Sequence, residues 1–187
     1  MTQREAVTAA IRFQSPFPVP YCVSFTHRML EKMIAYTGNP YYETTLNNAI
    51  NSAYLIKPET ETGLGFFTDE FGVVWNRRGL DNDIGNVHAF LIKDYASLDR
   101  YQFPPVDEAY IRARMQALMD TAGDRFRVAA IGFSLFERAW TLRGMEDLLS
   151  DMVVEPGFVH DLLGRITERN LCIIRIALQY DIDCFHF

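Results

Sequence analysis

Extended and helical segments alternate along most of the sequence, and this alternation is the feature that most restricts the fold. The extended segments VPYCVSF at 19–25, RVAAIGFS at 127–134 and DIDCFHF at 181–187 are rich in apolar residues, and segments with a helical pattern separate them. Alternation of this kind favours parallel β/α units over a helical bundle or a β-sandwich.

The first half of the chain carries clear signals for helix ends. Thr2 and Glu5 have the spacing of a capping box, which predicts a helix that ends near residue 11. A threonine before the segment and a glycine after it predict a second helix over 26–36. An Asn-Pro pair then predicts a third helix across 41–54.

The rest of the chain divides into a β-rich part and a helical part. Residues 63–92 are β-rich and interrupted by glycines, which predicts strands and hairpins. Beyond the Phe-Pro-Pro segment at 103–105, a helix is expected to about residue 119. Two short helices are expected on either side of Gly144, and Pro156 is expected to open the longest helix. Seven apolar residues on one face support this last helix: Val159, Leu162, Leu163, Ile166, Ile173, Ile174 and Ala177.

The fold class that these elements predict is α/β, of the (β/α)8 TIM-barrel type. A closed barrel usually needs about 250 residues, and only about four β/α units can be counted here. The chain has 187 residues and stops on a strand. We therefore expect residues 1–187 to be the N-terminal part of a single barrel domain.

Charge and composition restrict the class of partner. The net charge is -6 and the 18 basic residues are scattered, so a nucleic-acid partner is not expected. No apolar stretch approaches the ~20 residues that span a bilayer, and the charged N-terminus does not resemble a signal peptide. The three cysteines, which lack metal-type spacing, are expected to be reduced core thiols of a cytoplasmic protein. No metal site is predicted, and the expected partner is a small-molecule substrate.

Candidate site residues follow from the barrel rule that working side chains lie at the carboxyl ends of strands. The rule selects His27 and Arg28, Asp69 and Glu70, the segment 134–138, and His186. For Asp69 and Glu70 two readings stay open. They can form a hairpin turn before Gly72, or aromatic neighbours can desolvate a carboxylate that binds a ligand or moves a proton.

The remaining candidates also have structural alternatives. His27 and Arg28 can be ordinary residues of a first helical turn, and Glu137 with Arg138 can be an exposed ion pair. His186 can be a half-buried strand residue. Trp140 can be part of the core or of a substrate-binding surface.

Three segments resemble the uroporphyrinogen decarboxylase superfamily: REAVTAAIRFQSPFPVPYCVSFT, TDEFGVVWNR and GFSLFERAWTLRGMEDLLSDMVVEPGFVHDLLGRITERN. The resemblance covers nearly the whole chain but only the first half of the family's barrel. It implies a carboxy-lyase of porphyrin biosynthesis that uses no cofactor. In that reaction a pyrrole ring is protonated and an acetate side chain then loses carbon dioxide.

Residue roles follow from the same resemblance. It places Asp69 of the FTD segment as the carboxylate that binds the pyrrole N–H groups. Arg28 is then an anion clamp, with His27, Glu70, Glu137, Trp140 and His186 as further substrate contacts. The family's decarboxylases have an arginine-rich segment after the first strand, and here SFTHRML supplies only Arg28 among cations in a comparable place. This departure weakens the case for a substrate with several carboxylates.

Two alternatives differ from this hypothesis. The first is a methyltransferase that acts with a corrinoid protein, with zinc bound by residues beyond this chain. The second is an inactive half-barrel that persists only when it pairs with another chain, for which a homodimer is one form.

Overall fold

The computed structural model describes residues 1–79 and 85–187, and it shows a mixed α/β fold. Seven helices follow one another as α1 Gln3–Ile11, α2 His27–Thr37, α3 Tyr95–Arg100, α4 Glu108–Ala122, α5 Phe136–Arg143, α6 Met145–Val154 and α7 Pro156–Ala177. Seven strands are β1 Ile50–Tyr54, β2 Thr60–Gly63, β3 Phe66–Thr68, β4 Val74–Asn76, β5 Asn86–Val87, β6 Phe126–Ala130 and β7 Cys184–His186. A single turn of 3₁₀ helix spans Tyr42–Thr45.

A parallel sheet of three strands has the order β1-β6-β7. Ile50 of β1 lies opposite Phe126 of β6, and Ala130 of β6 lies opposite His186 of β7. Long helical connections separate these strands in the sequence, as parallel pairing requires. The parallel sheet therefore agrees with the predicted β/α character, while the described residues form no closed barrel.

Helices cover both faces of the parallel sheet. Successive residues of a strand point to opposite faces. Phe126 and Val128 of β6 pack with Val7 of α1, whereas Ala129 belongs to the cluster formed by α4 and α7. The buried residues of that second cluster are Ala53, Leu55, Ile111, Met115, Leu118, Ala129, Ile131, Ile173, Ile176 and Ala177.

An antiparallel sheet with the order β2-β3-β4-β5 forms the second layer, as the β-rich pattern of 63–92 predicted. Its buried residues pack on α5, α6 and α7 in a separate core cluster, which contains Phe71, Val73, Trp75, Ile92, Leu98, Ala139, Leu142, Leu148, Phe158, Val159, Leu162 and Ile166. Helix α7 contributes to both clusters and so joins the two sheets. Of the seven residues predicted on its apolar face, five are buried and Leu163 and Ile174 are half-buried.

Two predicted elements near the N-terminus are wrong. The segment 19–25 is not a strand, because the side-chain amide of Asn48 satisfies both backbone groups of Val23, at 2.9 Å and 2.8 Å. The helix predicted across 41–54 is only one 3₁₀ turn, and its second half is β1, which pairs with β6.

The cysteines also differ from their prediction. All three are free, but they are exposed rather than buried in the core. In the described part of the chain, no helix is long and apolar enough to cross a membrane.

Candidate functional site

A cleft of about 680 Å³ lies where the three parallel strands end. Tyr54 ends β1, the loop after β6 supplies Phe133 and Ser134, and His186 ends β7. The remaining lining residues are Gly132, Leu135, Phe136, Glu137 and Phe187. Its volume falls within the range of small-molecule sites, and in α/β sheets such sites lie outside the carboxyl ends of the strands.

Backbone hydrogen bonds fix the floor of the cleft. Leu55 donates to the carbonyl of Ala130 at 2.8 Å, and Ile131 donates to the carbonyl of His186 at 3.1 Å. Gly132, at φ 82°, then turns the chain away from the sheet towards α5. The buried amide of Asn170 donates to the carbonyl of Ser134 at 3.0 Å. The loop that carries Phe133 and Ser134 is therefore held by both the sheet and α7.

The polar side chains of the cleft are the carboxylate of Glu137, the imidazole of His186 and the hydroxyls of Tyr54 and Ser134, between aromatic walls. Glu137 lies in the first turn of α5 and is exposed, as is His186, whereas Ser134 is buried. None of the described residues that line the cleft is a lysine or an arginine. The cleft therefore suits a planar ligand that presents N–H donors or positive charge to Glu137.

Glu137 and His186 are the two predicted site residues that the structure brings together in this cleft. Trp140 does not line it, but the ring of Trp140 lies 6.3 Å from that of Phe133, which does. Trp140 is half-buried. It therefore supports the wall of the cleft from behind.

Asp69 is buried in the turn between β3 and β4 and does not line the cleft. Its Oδ1 accepts the backbone N–H groups of Phe71 and Val73, both at 3.0 Å. Its Oδ2 accepts hydrogen bonds from Nη1 of Arg138 at 2.6 Å and from Nε1 of Trp75 at 3.4 Å. Four donors thus surround this carboxylate. Asp69 therefore belongs to the predicted turn and also forms a buried ion pair.

The rest of the turn is fixed to helices α5 and α7 and to the residue that follows α3. Glu70 accepts Nη2 of Arg169 on α7 at 2.8 Å. The ring of Phe71 lies against two guanidinium groups, with its centroid 3.9 Å from Cζ of Arg138 and 4.7 Å from Cζ of Arg169. The backbone carbonyl of Phe71 accepts the hydroxyl of Tyr101, beyond the end of α3, at 2.6 Å.

Burial of this polar cluster changes two pKa values. Burial lowers the pKa of Arg169, and its partner Glu70 opposes that change. Burial also raises the pKa of Tyr101 well above its usual range, with a further contribution from the negative charge of Asp69. Both shifts identify the cluster as a water-poor part of the protein.

Asp69 is connected to the wall of the cleft through packed aromatic side chains. Trp75, which donates to Asp69, stacks on Phe133 with ring centroids 5.7 Å apart and an interplanar angle of 25°. Trp140 packs edge-on against Trp75 at 6.4 Å. The DEFG turn therefore supports the wall of the cleft, and its carboxylates do not face a ligand there.

Of the two candidates after 19–25, only Arg28 has a described side chain. His27 begins α2, but its side chain lies outside the described residues. Arg28 is exposed, and its Nη2 donates to the carbonyl of Gly79 at 3.4 Å. Arg28 is not among the described residues that line the cleft.

Reasoning from the sequence missed the positions of three residues: Arg138, Tyr54 and Phe187. The reading of Glu137 and Arg138 as an exposed ion pair is wrong, because Arg138 is 3% exposed and pairs with Asp69. The apolar neighbours Ala139 and Leu142 on α5 were the available signal for burial of this face. The place of Tyr54 was missed because the sequence predicts a helix across 41–54.

Comparisons with known proteins leave the family open. No protein-family model matches this chain, and no curated protein or solved structure matches it either. Within the described residues, no group of three or more His, Cys, Asp or Glu side chains is arranged to hold a metal ion.

Proposed function

We propose that this chain is a uroporphyrinogen decarboxylase-like carboxy-lyase that binds its substrate in the cleft at the carboxyl ends of β1, β6 and β7. The observation that carries the proposal is that Glu137 and His186 line the same cleft, together with aromatic side chains. The quoted sequence segments support the same family, with the parallel sheet as part of its barrel.

The electrostatics of the cleft suit a substrate that becomes positively charged during the reaction. A carboxylate at Glu137 accepts ring N–H groups and stabilises the cation that forms when the ring is protonated. Since the lining residues that the structure describes include no lysine or arginine, they place no positive charge against that cation. An imidazole is the side chain that most readily exchanges protons near neutral pH, which assigns proton transfer to His186.

The same surroundings favour loss of a carboxylate. A substrate carboxylate held between Phe133 and Phe136 loses hydration, and the negative charge of Glu137 repels it. Departure of carbon dioxide moves an electron pair into the protonated ring and removes both unfavourable interactions. These features support decarboxylation as the proposed reaction class.

Asp69 acts in this proposal as a positioning residue. It holds Arg138 on α5, the helix that also carries Glu137, and it holds Trp75 behind Phe133. The anchoring role that the resemblance gave to Asp69 passes to Glu137, which is exposed in the cleft.

Anaerobic incubation of the purified chain with uroporphyrinogen tests the proposal, with separation of the products by their number of carboxylates. We expect decarboxylated products, and Glu137→Gln and His186→Gln are each expected to lower kcat by about 100-fold or more. Glu168→Gln changes an exposed carboxylate on α7 in the same way and should leave the rate unchanged. Absence of any product from folded protein, or equal rates for all three variants, would contradict the proposal.

A further inference from the structure

Helix α6 presents most of its apolar side chains to solvent. Met145, Leu149, Met152 and Val153 are 40%, 50%, 39% and 82% exposed. Leu148 is the one residue of this helix that is buried. A helix on the surface of a globular protein normally turns its apolar face towards the core, so this exposure indicates a surface used for binding.

Four of these exposed residues, Met145, Leu149, Met152 and Val153, form one continuous strip, whereas Val154, which is 68% exposed, lies on another face of the helix. Their spacing of four, seven and eight positions from Met145 places them on the same face of the helix. We call this strip the α6 stripe. Its residues lie within ten positions of a regular helix, so the stripe is rigid and needs no rearrangement to bind a partner.

The charges on and beside α6 are mostly acidic. Glu146, Asp147, Asp151 and Glu155 lie on or directly after α6, and the sequence has no lysine or arginine from 144 to 164. Arg143, on α5, pairs with Asp147 at 3.1 Å and with Asp151 at 2.7 Å. Glu146 and Glu155 remain as acidic groups beside the stripe.

We infer that the α6 stripe is the docking surface for a basic amphipathic helix of another protein. The partner's apolar face would pack on the stripe, while its lysines or arginines would lie beside Glu146 and Glu155. A second copy of this chain fits less well, because each copy has a net charge of -6 and would bring another acidic α6 to the contact. Four side chains bury less than a standard interface, so the complex is weak and exchanges readily.

A designed peptide tests this inference without knowledge of the natural partner. The probe is a helix of about 18 residues, long enough to be helical alone, with leucines on one face and lysines on both flanks. Its matched control has the same leucines with glutamates as flanks. In a fluorescence-anisotropy titration we expect the lysine peptide to bind at about 1–100 μM, and the glutamate peptide to bind at least about tenfold more weakly.

Variants of the chain separate the stripe from general attraction to an acidic protein. The double variant Leu149→Glu with Val153→Glu should bind the lysine peptide about tenfold more weakly, or weaker still. The double variant Glu146→Gln with Glu155→Gln should reduce the affinity several-fold, by an amount that depends on salt concentration. Leu64→Ser changes an apolar residue that is 86% exposed on the β2–β3 turn and should have no effect.

Three results would overturn the inference. The first is equal binding of the lysine peptide to the native chain and the Leu149/Val153 variant. The second is the absence of binding at all. The third is a dimer of the chain alone, seen by analytical ultracentrifugation, that the same double variant dissociates, because a second copy would then be the occupant. Circular dichroism of each variant confirms that the fold is intact before its affinity is compared.

Discussion

Replacing Asp69 with asparagine removes one charge from a buried ion pair and nearly preserves the shape of the side chain. The side chains of Arg138 and Asp69 are only 4% and 5% exposed, and their atoms meet at 2.6 Å. An asparagine oxygen can still accept the two backbone N–H groups of the turn. Its amide, however, would face the donors of Arg138 and Trp75, so the guanidinium would remain charged and buried without a counter-charge.

The magnitude of the loss follows from this geometry. Removal of one partner from a buried ion pair costs about 3–5 kcal/mol, because the remaining charge is uncompensated. Arg138 is sensitive to this loss because its Nε already has no hydrogen-bond partner among the described residues. A chain of 187 residues unfolds with an entropy of about 0.4 kcal/mol/K, so the variant's Tm should fall by about 8–13 °C.

Urea unfolding followed by tryptophan fluorescence and by circular dichroism measures the free energy of unfolding. Arg138→Met removes the other charge, and the double variant should be less destabilised than the sum of the single variants, by about 1–3 kcal/mol. Glu108→Gln removes an exposed pair with Arg112 and should cost less than about 0.5 kcal/mol. A loss below about 1 kcal/mol for Asp69→Asn, or strictly additive effects in the cycle, would refute the buried-pair reasoning.

Three further predictions concern stability. Because burial raises the pKa of Tyr101, the unfolded chain loses the Tyr101 proton first as pH rises above about 10, so the free energy of unfolding should fall there. Tyr101→Phe should cost about 1 kcal/mol at neutral pH and should make this alkaline decline smaller in urea titrations. The same change at the exposed Tyr36 should have neither effect. Asp183→Asn should cost about 1–2 kcal/mol in the same titrations, because Asp183 accepts Nε of Arg4 at 2.7 Å and a backbone N–H at 2.8 Å, and a value near zero would mean that this link between the chain ends is not stabilising. Thr2→Ala should cost about 1 kcal/mol through loss of the capping box, with Thr2→Ser close to the native value by thermal circular dichroism.

Local signals explain why much of the helical structure could be predicted. The capping box at Thr2, the glycine that ends α2 and the proline that begins α7 all appear in the structure where the sequence places them. Each depends on residues within one or two helical turns. The two short helices flanking Gly144 were predictable for the same reason.

The wrong predictions involve partners that are distant in the sequence. Residues 50–54 form a strand because β6, more than 70 positions later, offers a pairing edge. Residues 19–25 lose strand pairing because the side chain of Asn48 binds their backbone instead. In both places tertiary contacts outweigh local preference, which a single sequence does not reveal.

The candidate site was predictable where it depends on strand ends and not where it depends on side-chain pairing. Glu137 follows β6 and His186 ends β7, so the rule for parallel strands places them at one edge of the sheet. The partner of Asp69 lies 69 positions away, and Arg138 looked like an exposed residue beside Glu137. No spacing rule connects two such residues.

Mutation of an acidic residue can lower activity by removing a ligand contact or by destabilising the fold, and the burial of Asp69 separates these two effects. A carboxylate that contacts ligand would lower catalysis when changed, even in fully folded protein. Asp69 contacts Arg138 and Trp75 instead, so its loss should act first on stability and then on the position of Phe133. Because that path depends on the packing of aromatic rings, the effect on the cleft should be reduced in stabilising solutes, which strengthen the burial of apolar groups. Glu137 is exposed, so loss of its carboxylate should not act through stability. Stabilising conditions should therefore not restore the activity of a Glu137 variant.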